Sequence, residues 1–293
     1  SAHMTFAEKT GMRSFAVKAG DVLMNPGYYS NCFKKPLVIV PSRSGKTTEV
    51  LKAIEILRKA YGDIRVFSII EHTDSILENL SNSTLLLPWA NEKSVCQTRS
   101  FSNLYLCMTA ISALLGNDTK LINDIICYLN LAPDLFPNMQ AKISLIIEDF
   151  KDCNYLVVLG SGKQYGAAVE GAYIGIEMAM FPANYYSVLE LRHGPIVRLD
   201  ENSLVCIISN NEARNHEESI AADVKKKGTK IMAIVDNGTF DNADWIFSIG
   251  NNLSSEVTAL YGIAVLQAFA YYKALQLGLN PDSPSQLVPY ISM

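Results

Sequence analysis

Leu37-Val38-Ile39-Val40-Pro41-Ser42-Arg43-Ser44-Gly45-Lys46-Thr47-Thr48 is the stretch on which the reading of this chain turns. A short apolar run stops at a proline, hydroxyls and a glycine follow, and from Glu49 to Lys59 apolar residues return at helical spacing (Val50, Ile54, Leu57). A continuous apolar run that passes straight into a helix predicts a strand buried on both faces of a parallel sheet. The turn between them gathers hydroxyls and backbone N–H groups at a helix N-terminus, where the dipole and the orphan donors attract an anion. Two readings stay open on these residues alone: an anion loop, or plain capping of the helix by Ser44 or Thr47. Gly45-Lys46-Thr47 copies the end of a nucleotide-binding P-loop, but that motif needs a glycine where Val40 stands, so ATP is not expected.

The same alternation extends outward. Arg65–Ile70 and Thr84–Leu87 read as the next strands, with a weaker, earlier one at Ser14–Lys18. Helices are expected over Asn103–Leu115, Lys120–Leu131 and Gln140–Phe150, the last two separated by Pro133 and Pro137. The scheme then repeats: strands Tyr155–Leu159, Leu204–Ser209, Ile231–Val235 and Trp245–Ile249, helices Ala167–Met180 and Glu217–Lys227, and a long apolar helix Glu256–Leu277. Strands alternating with helices predict an α/β fold with parallel sheets, divided into domains over residues 1–135 and 136–293. Ligands of such sheets bind at the carboxyl ends of the strands, where the motifs are expected to gather. Val257, Leu260, Ile263, Leu266 and Phe269 make the last helix apolar on more than one face, which predicts a homodimer.

Composition narrows the class. Of 293 residues, 49% are apolar and 18% charged, with a net charge of −4, which excludes a disordered chain and argues against a nucleic-acid partner. Lys225-Lys226-Lys227 reads as the solvated end of a helix. No apolar run reaches the ~18 residues of a membrane span, and Ser1-Ala2-His3-Met4 lacks the features of a signal peptide. The six cysteines are scattered with no CxxC pair or Cys/His cluster, so no metal is expected, and reduced thiols in the cytoplasm are the simplest reading.

Gly160-Ser161-Gly162 turns a second strand into a helix, but Tyr165 stands where a dinucleotide fingerprint needs its third glycine, leaving a tight turn. Glu170 and Glu177 are seven apart and so share one face of a helix that is otherwise apolar. Desolvation there raises a carboxyl pKa, which suits proton transfer to and from carbon near neutral pH. His193, fixed by Gly194-Pro195, either faces a pocket or is structural.

Taken in order, Ser-x-Ser-Gly-x-Thr at 42–47, Asn91-Glu92-Lys93-Ser94-Val95 with Thr98-Arg99-Ser100-Phe101, Glu170-Gly171-Ala172, Glu177 and His193-Gly194-Pro195 resemble the sugar isomerase (SIS) family. The likeness runs from about Phe6 to Pro284 and is to the isomerase half of glutamine–fructose-6-phosphate amidotransferase and its stand-alone relatives. It implies two tandem SIS domains, each a flavodoxin-like parallel sheet with helices on both faces. It implies a sugar phosphate held by Ser42, Ser44, Thr47 and the backbone of Arg43, with the Val95 backbone against the sugar. Glu177 then matches the acid/base between C1 and C2, His193 the ring-opening group lent by a neighbouring subunit, and Glu170 a supporting carboxylate. No cofactor is expected, because the hydrogens move by acid/base steps alone. Two departures stand out. Ile174 replaces a lysine, and Gln286-Leu287-Val288-Pro289-Tyr290 carries no Schiff-base lysine. The family's opening strand and Gly-Ser-Ser turn also find no match upstream of Phe6. An isomerase, deaminase or deglycase is expected; the alternative is a phosphosugar sensor without turnover.

Overall fold

The computed structural model describes residues 1–285 and Leu287. The chain opens with α1 (Ala2–Thr10) and continues through α2 (Ala19–Met24), α3 (Pro26–Tyr29), β1 (Leu37–Ser42), α4 (Thr48–Tyr61), β2 (Arg65–Ile70), α5 (Ile76–Leu80), β3 (Ser83–Leu86) and α6 (Arg99–Leu115). There follow α7 (Thr119–Asp149), β4 (Tyr155–Leu159), α8 (Tyr165–Ala179), β5 (Ala183–Tyr186), β6 (Ser203–Ile208), α9 (Arg214–Lys225), β7 (Lys230–Val235), β8 (Trp245–Ser248) and α10 (Ser255–Gln276). Two compact units result: a smaller one, Phe15–Leu104, and a larger one made of Ser1–Ser14 together with Tyr105–Ser285.

In the smaller unit the described strands form a parallel sheet in the order β1-β2-β3, with Ser42 level with Ile70 and Ile70 level with Leu86. Ile54 and Leu57 of α4 pack with Val40, Val66, Ile70 and Leu77. This is the apolar stripe that the spacing of Val50, Ile54 and Leu57 predicts. Burying it fixes the α4 N-terminus at the carboxyl end of β1, so the Ser42–Thr47 turn lies where an open α/β sheet binds its ligands.

In the larger unit the sheet is also parallel, in the order β5-β4-β6-β7-β8. Every residue of β4 and β6 is buried, as expected of strands covered on both faces. Tyr155, Val157 and Leu159 share a cluster with Ile220, Ala221 and Val224 of α9; α8 and α10 lie together. A Cβ on Gly171 of α8 would come within 2.3 Å of Leu266 Cδ1 of α10, so only glycine permits this approach.

Several expectations need correcting. Ser14–Lys18 is not a strand. Pro133 and Pro137 do not interrupt the chain but lie inside the single helix α7. Each proline removes one backbone donor, yet Leu121, Ile125 and Tyr128 before the prolines and Met139, Ile143, Ile146 and Ile147 after them are buried, and burial of these two stretches outweighs the lost bonds. The boundary placed between 135 and 136 therefore falls inside α7, whereas the division into compact units falls inside α6. Strand β5, with the polar sequence Ala-Asn-Tyr-Tyr, was not expected. The two expected halves share the α/β plan, but the described sheets have three and five strands. Finally, Val257, Leu260, Ile263, Leu266 and Phe269 are all buried within this chain, where α10 lies against α7 and α8, while Tyr271 and Leu275 near the end of the same helix stay exposed. The lysine-free stretch 286–290 lies outside the described residues apart from Leu287.

Candidate functional site

The Ser42–Thr47 turn, the candidate anion loop, is built by its own backbone. Ser42 Oγ accepts the N–H of Gly45 at 3.1 Å and Ser44 Oγ accepts the N–H of Lys46 at 3.2 Å. Both hydroxyls therefore tighten the turn, and neither caps α4. Thr47 holds the N-cap position of α4 without a side-chain bond to the helix, so capping does not explain its hydroxyl. Gly45 sits at φ +61, and a Cβ there would come within 2.5 Å of Ser75 Oγ. Its carbonyl accepts the N–H of Leu77 at 3.1 Å. Left-handed backbone and close packing both require glycine here.

Arg43 extends this loop to the segment that carries Val95. Its guanidinium donates to the carbonyls of Glu92 (2.7 Å), Ser94 (2.8 Å) and Val95 (3.2 Å). Beyond that segment the Glu92 carboxylate accepts the N–H groups of Thr98, Arg99 and Ser100. It thereby occupies the N-terminus of α6 with a negative charge, where the dipole favours one. Ser100 Oγ donates to Glu71 Oε2 at 2.9 Å, while Glu71 Oε1 is buried with no partner. Burial pushes the Glu71 carboxyl up, against the opposing effects of the Ser100 hydroxyl and the Arg43 charge. Sequence reasoning assigned Arg43 only a backbone role and missed Glu92 and Glu71; an acid ahead of a helix start was the one signal present for Glu92.

The larger unit carries the proposed proton-transfer residues. Glu170 and Glu177 share a face of α8 and are electrostatically coupled. Burial, with the Glu177 charge adding to it, pushes Glu170 up to about 8. Desolvation also pushes Glu177 up, although its side chain reaches solvent. Glu177 stands in the last turn of α8, beside Ile176 and Met180. These two line a cavity of about 440 Å³ with Tyr155, Phe181, Pro182, Ala183 and Asn184. Tyr155 and Ala183 begin β4 and β5, so Glu177 belongs to the amino ends of those strands, contrary to the carboxyl-end expectation. His193 is exposed, follows a short 3₁₀ turn (Val188–Arg192), and precedes Gly194 at φ +128. Among the described residues no hydrogen bond or ion pair joins His193, Glu170 and Glu177. Arg192 is taken by Asp223 and Ser219. At the Gly160-Ser161-Gly162 turn, Ser161 Oγ bonds Ser187 Oγ and the Val188 N–H, both at 3.0 Å, which makes the turn a structural joint.

A parallel α/β core with this turn has a counterpart among known families, since the SIS domain model matches residues 149–243. The chain carries a SIS domain. The matched segment covers β4 to β7 of the larger unit. Over 270 residues the chain is 28% identical to glutamine–fructose-6-phosphate aminotransferase [isomerizing] of Salmonella paratyphi A and of Escherichia coli K12, an overlap of 89% of this chain and 44% of theirs. The chain thus spans less than half the length of these curated relatives. Among solved structures, glucosamine-6-phosphate deaminase of Thermotoga maritima superposes with a TM-score of 0.83 at 24% identity, covering 99% of this chain and 85% of that one. Tagatose-6-phosphate ketose/aldose isomerase of Escherichia coli gives 0.79 at 22%, covering 99% and 83%. At these identities the likeness is one of fold. No described helix is long and apolar enough to cross a membrane.

Proposed function

We propose that this SIS protein binds a sugar 6-phosphate and moves a proton between C1 and C2 of its open-chain form, leading to isomerisation, deamination or deglycation. The observation that carries the reading is the Ser42–Thr47 loop: a left-handed glycine, two hydroxyls that shape the turn, and the N-terminus of a fourteen-residue helix. In this reading Ser42, Ser44, Thr47 and the Arg43 backbone hold the phosphate, and the Val95 backbone meets the sugar. Glu177 is the shuttle, because partial desolvation raises its pKa, and a raised carboxyl pKa favours accepting and returning protons. Glu170, which keeps its own proton up to about pH 8, supports it as a neutral hydrogen-bond donor. His193 opens the ring. Its exposure and lack of a bond to Glu177 within the chain support a site shared between two subunits of a cytoplasmic homodimer with tandem SIS domains.

A second reading, a phosphosugar sensor, is favoured by Ile174. The resemblance expects a lysine there, whereas this side chain is 1% exposed and leaves an ammonium no solvated position. Incubation with fructose 6-phosphate, glucosamine 6-phosphate and a fructosamine 6-phosphate, followed by mass spectrometry of sugars and released ammonia or amine, separates the two. Product from any of the three supports the enzyme. Tight binding without product supports the sensor, and neither binding nor product refutes both.

A further inference from the structure

We infer that Arg43 is a positioning residue that fastens the segment Glu92–Val95 to the anion loop, so that the two respond to a ligand as one body. The inference deepens the proposed reading of Ser42–Thr47 as a phosphate loop and rests on it for the identity of the ligand. The clamp itself rests on geometry alone.

The segment from Asn91 to Thr98 has no helix or strand to hold it, so its backbone carbonyls need partners from elsewhere. Three of them find the same partner. The planar guanidinium reaches the carbonyls of Glu92, Ser94 and Val95 at 2.7, 2.8 and 3.2 Å. The far end is held independently by the Glu92 carboxylate on the N–H groups of Thr98, Arg99 and Ser100. Among the described residues no carboxylate lies within ion-pair distance of Arg43, so its charge is met by the three carbonyl dipoles and at longer range by Glu71, and it adds to the potential felt by an anion in the loop. The Arg43 backbone sits between Ser42 and Ser44, whose hydroxyls set the turn. A ligand that tightens this turn therefore moves or braces the guanidinium directly, and with it the carbonyl of Val95.

Lysine separates the two contributions, because an ammonium keeps the charge but cannot span three carbonyls as a planar fork does. The test is hydrogen exchange and ligand titration on the full chain, comparing wild type, Arg43→Lys and Arg43→Met. Without ligand, the amides of 92–98 should exchange about tenfold faster or more in both variants, since charge-assisted bonds to three carbonyls are lost or reduced to one. The amides of β1 and β2 should keep wild-type protection, which shows that the variants are folded. Inorganic phosphate should bind Arg43→Lys within about threefold of wild type and bind Arg43→Met more weakly. Fructose 6-phosphate should lose about tenfold of its advantage over inorganic phosphate in Arg43→Lys, because the sugar-facing segment is no longer set. Unchanged exchange over 92–98 in both variants overturns the clamp. An unchanged ratio of the two ligands in Arg43→Lys overturns the coupling. If wild type binds neither anion, the phosphate reading fails, and ligand-free exchange still decides the clamp.

Discussion

Replacing Glu170 with glutamine tests the environment of the proposed proton-transfer face by stability alone, with no substrate needed. In the folded chain Glu170 holds its proton up to about pH 8, against an ordinary 4.5, because burial and the neighbouring Glu177 charge disfavour its ionised form. Between these pH values the unfolded chain has released a proton that the folded chain still holds. Stability therefore falls as pH rises, by at most about 1.4 kcal/mol per unit. The full interval sets a ceiling of about 5 kcal/mol; relaxation and water at this partly covered face reduce it to on the order of 2–3 kcal/mol. Glutamine keeps the shape and cannot ionise. Chemical denaturation of the larger unit at pH 5, 7 and 9 should show Glu170→Gln close to wild type at pH 5 and more stable by that amount at pH 9. A Glu177→Gln background should leave the onset near pH 4.5, end the effect at lower pH and shrink its total, since deleting the ionised neighbour removes part of the shift while burial stays in place. A difference that stays flat from pH 5 to 9, or wild type gaining on the variant as pH rises, would refute the assignment.

If a substrate is found, Glu177→Gln should lower turnover by roughly 10²–10⁴-fold with sugar-phosphate affinity largely kept, as read from kcat and KM; lost stability with normal turnover would make Glu177 structural. Gly171→Ala places a Cβ 2.3 Å from Leu266 Cδ1 and should cost about 1–3 kcal/mol in calorimetry, whereas an unchanged Tm would mean that α8 and α10 part easily. Gly45→Ala combines a left-handed φ with a contact at 2.5 Å to Ser75 Oγ, so phosphate affinity by titration should fall about tenfold while the pH response of Glu170 is kept. Light scattering at micromolar concentration should give twice the chain mass, and a monomer would remove the shared-site part of the reading.

Much of the smaller unit was legible because its signals are local. An apolar run, a hydroxyl-rich turn and a helical stripe lie within about two dozen residues, and each constrains the backbone next to it. The strands of the larger unit were legible for a related reason: a parallel strand buried on both faces must be apolar along its buried length, as β4 is throughout and as β6 and β7 are after Ser203 and Lys230. Strand β5 was not, because an edge strand beside β4 is set by its neighbour's unpaired carbonyls and N–H groups and not by its own polar sequence. The candidate site divides in the same way. The face shared by Glu170 and Glu177 follows from helical periodicity, while the contacts that hold Val95 run through a side chain some fifty residues away.

What the sequence by itself determined is therefore the alternation of buried strands and helices, the parallel sheets, the hydroxyl-rich turn between β1 and α4 and the pairing of two carboxyls on one helix, since local backbone preference and burial period suffice for each. Tertiary structure alone decided that α7 runs unbroken through two prolines, that Val257, Leu260, Ile263, Leu266 and Phe269 of α10 are buried within their own chain, and that Ser1–Ser14 belongs with Tyr105–Ser285. It also decided the use of the Arg43 guanidinium and the distribution of the raised carboxyl pKa values. These depend on which surfaces meet across long stretches of chain, where the free energy of burial and of hydrogen bonds to distant partners outweighs the preference of any residue for its local conformation.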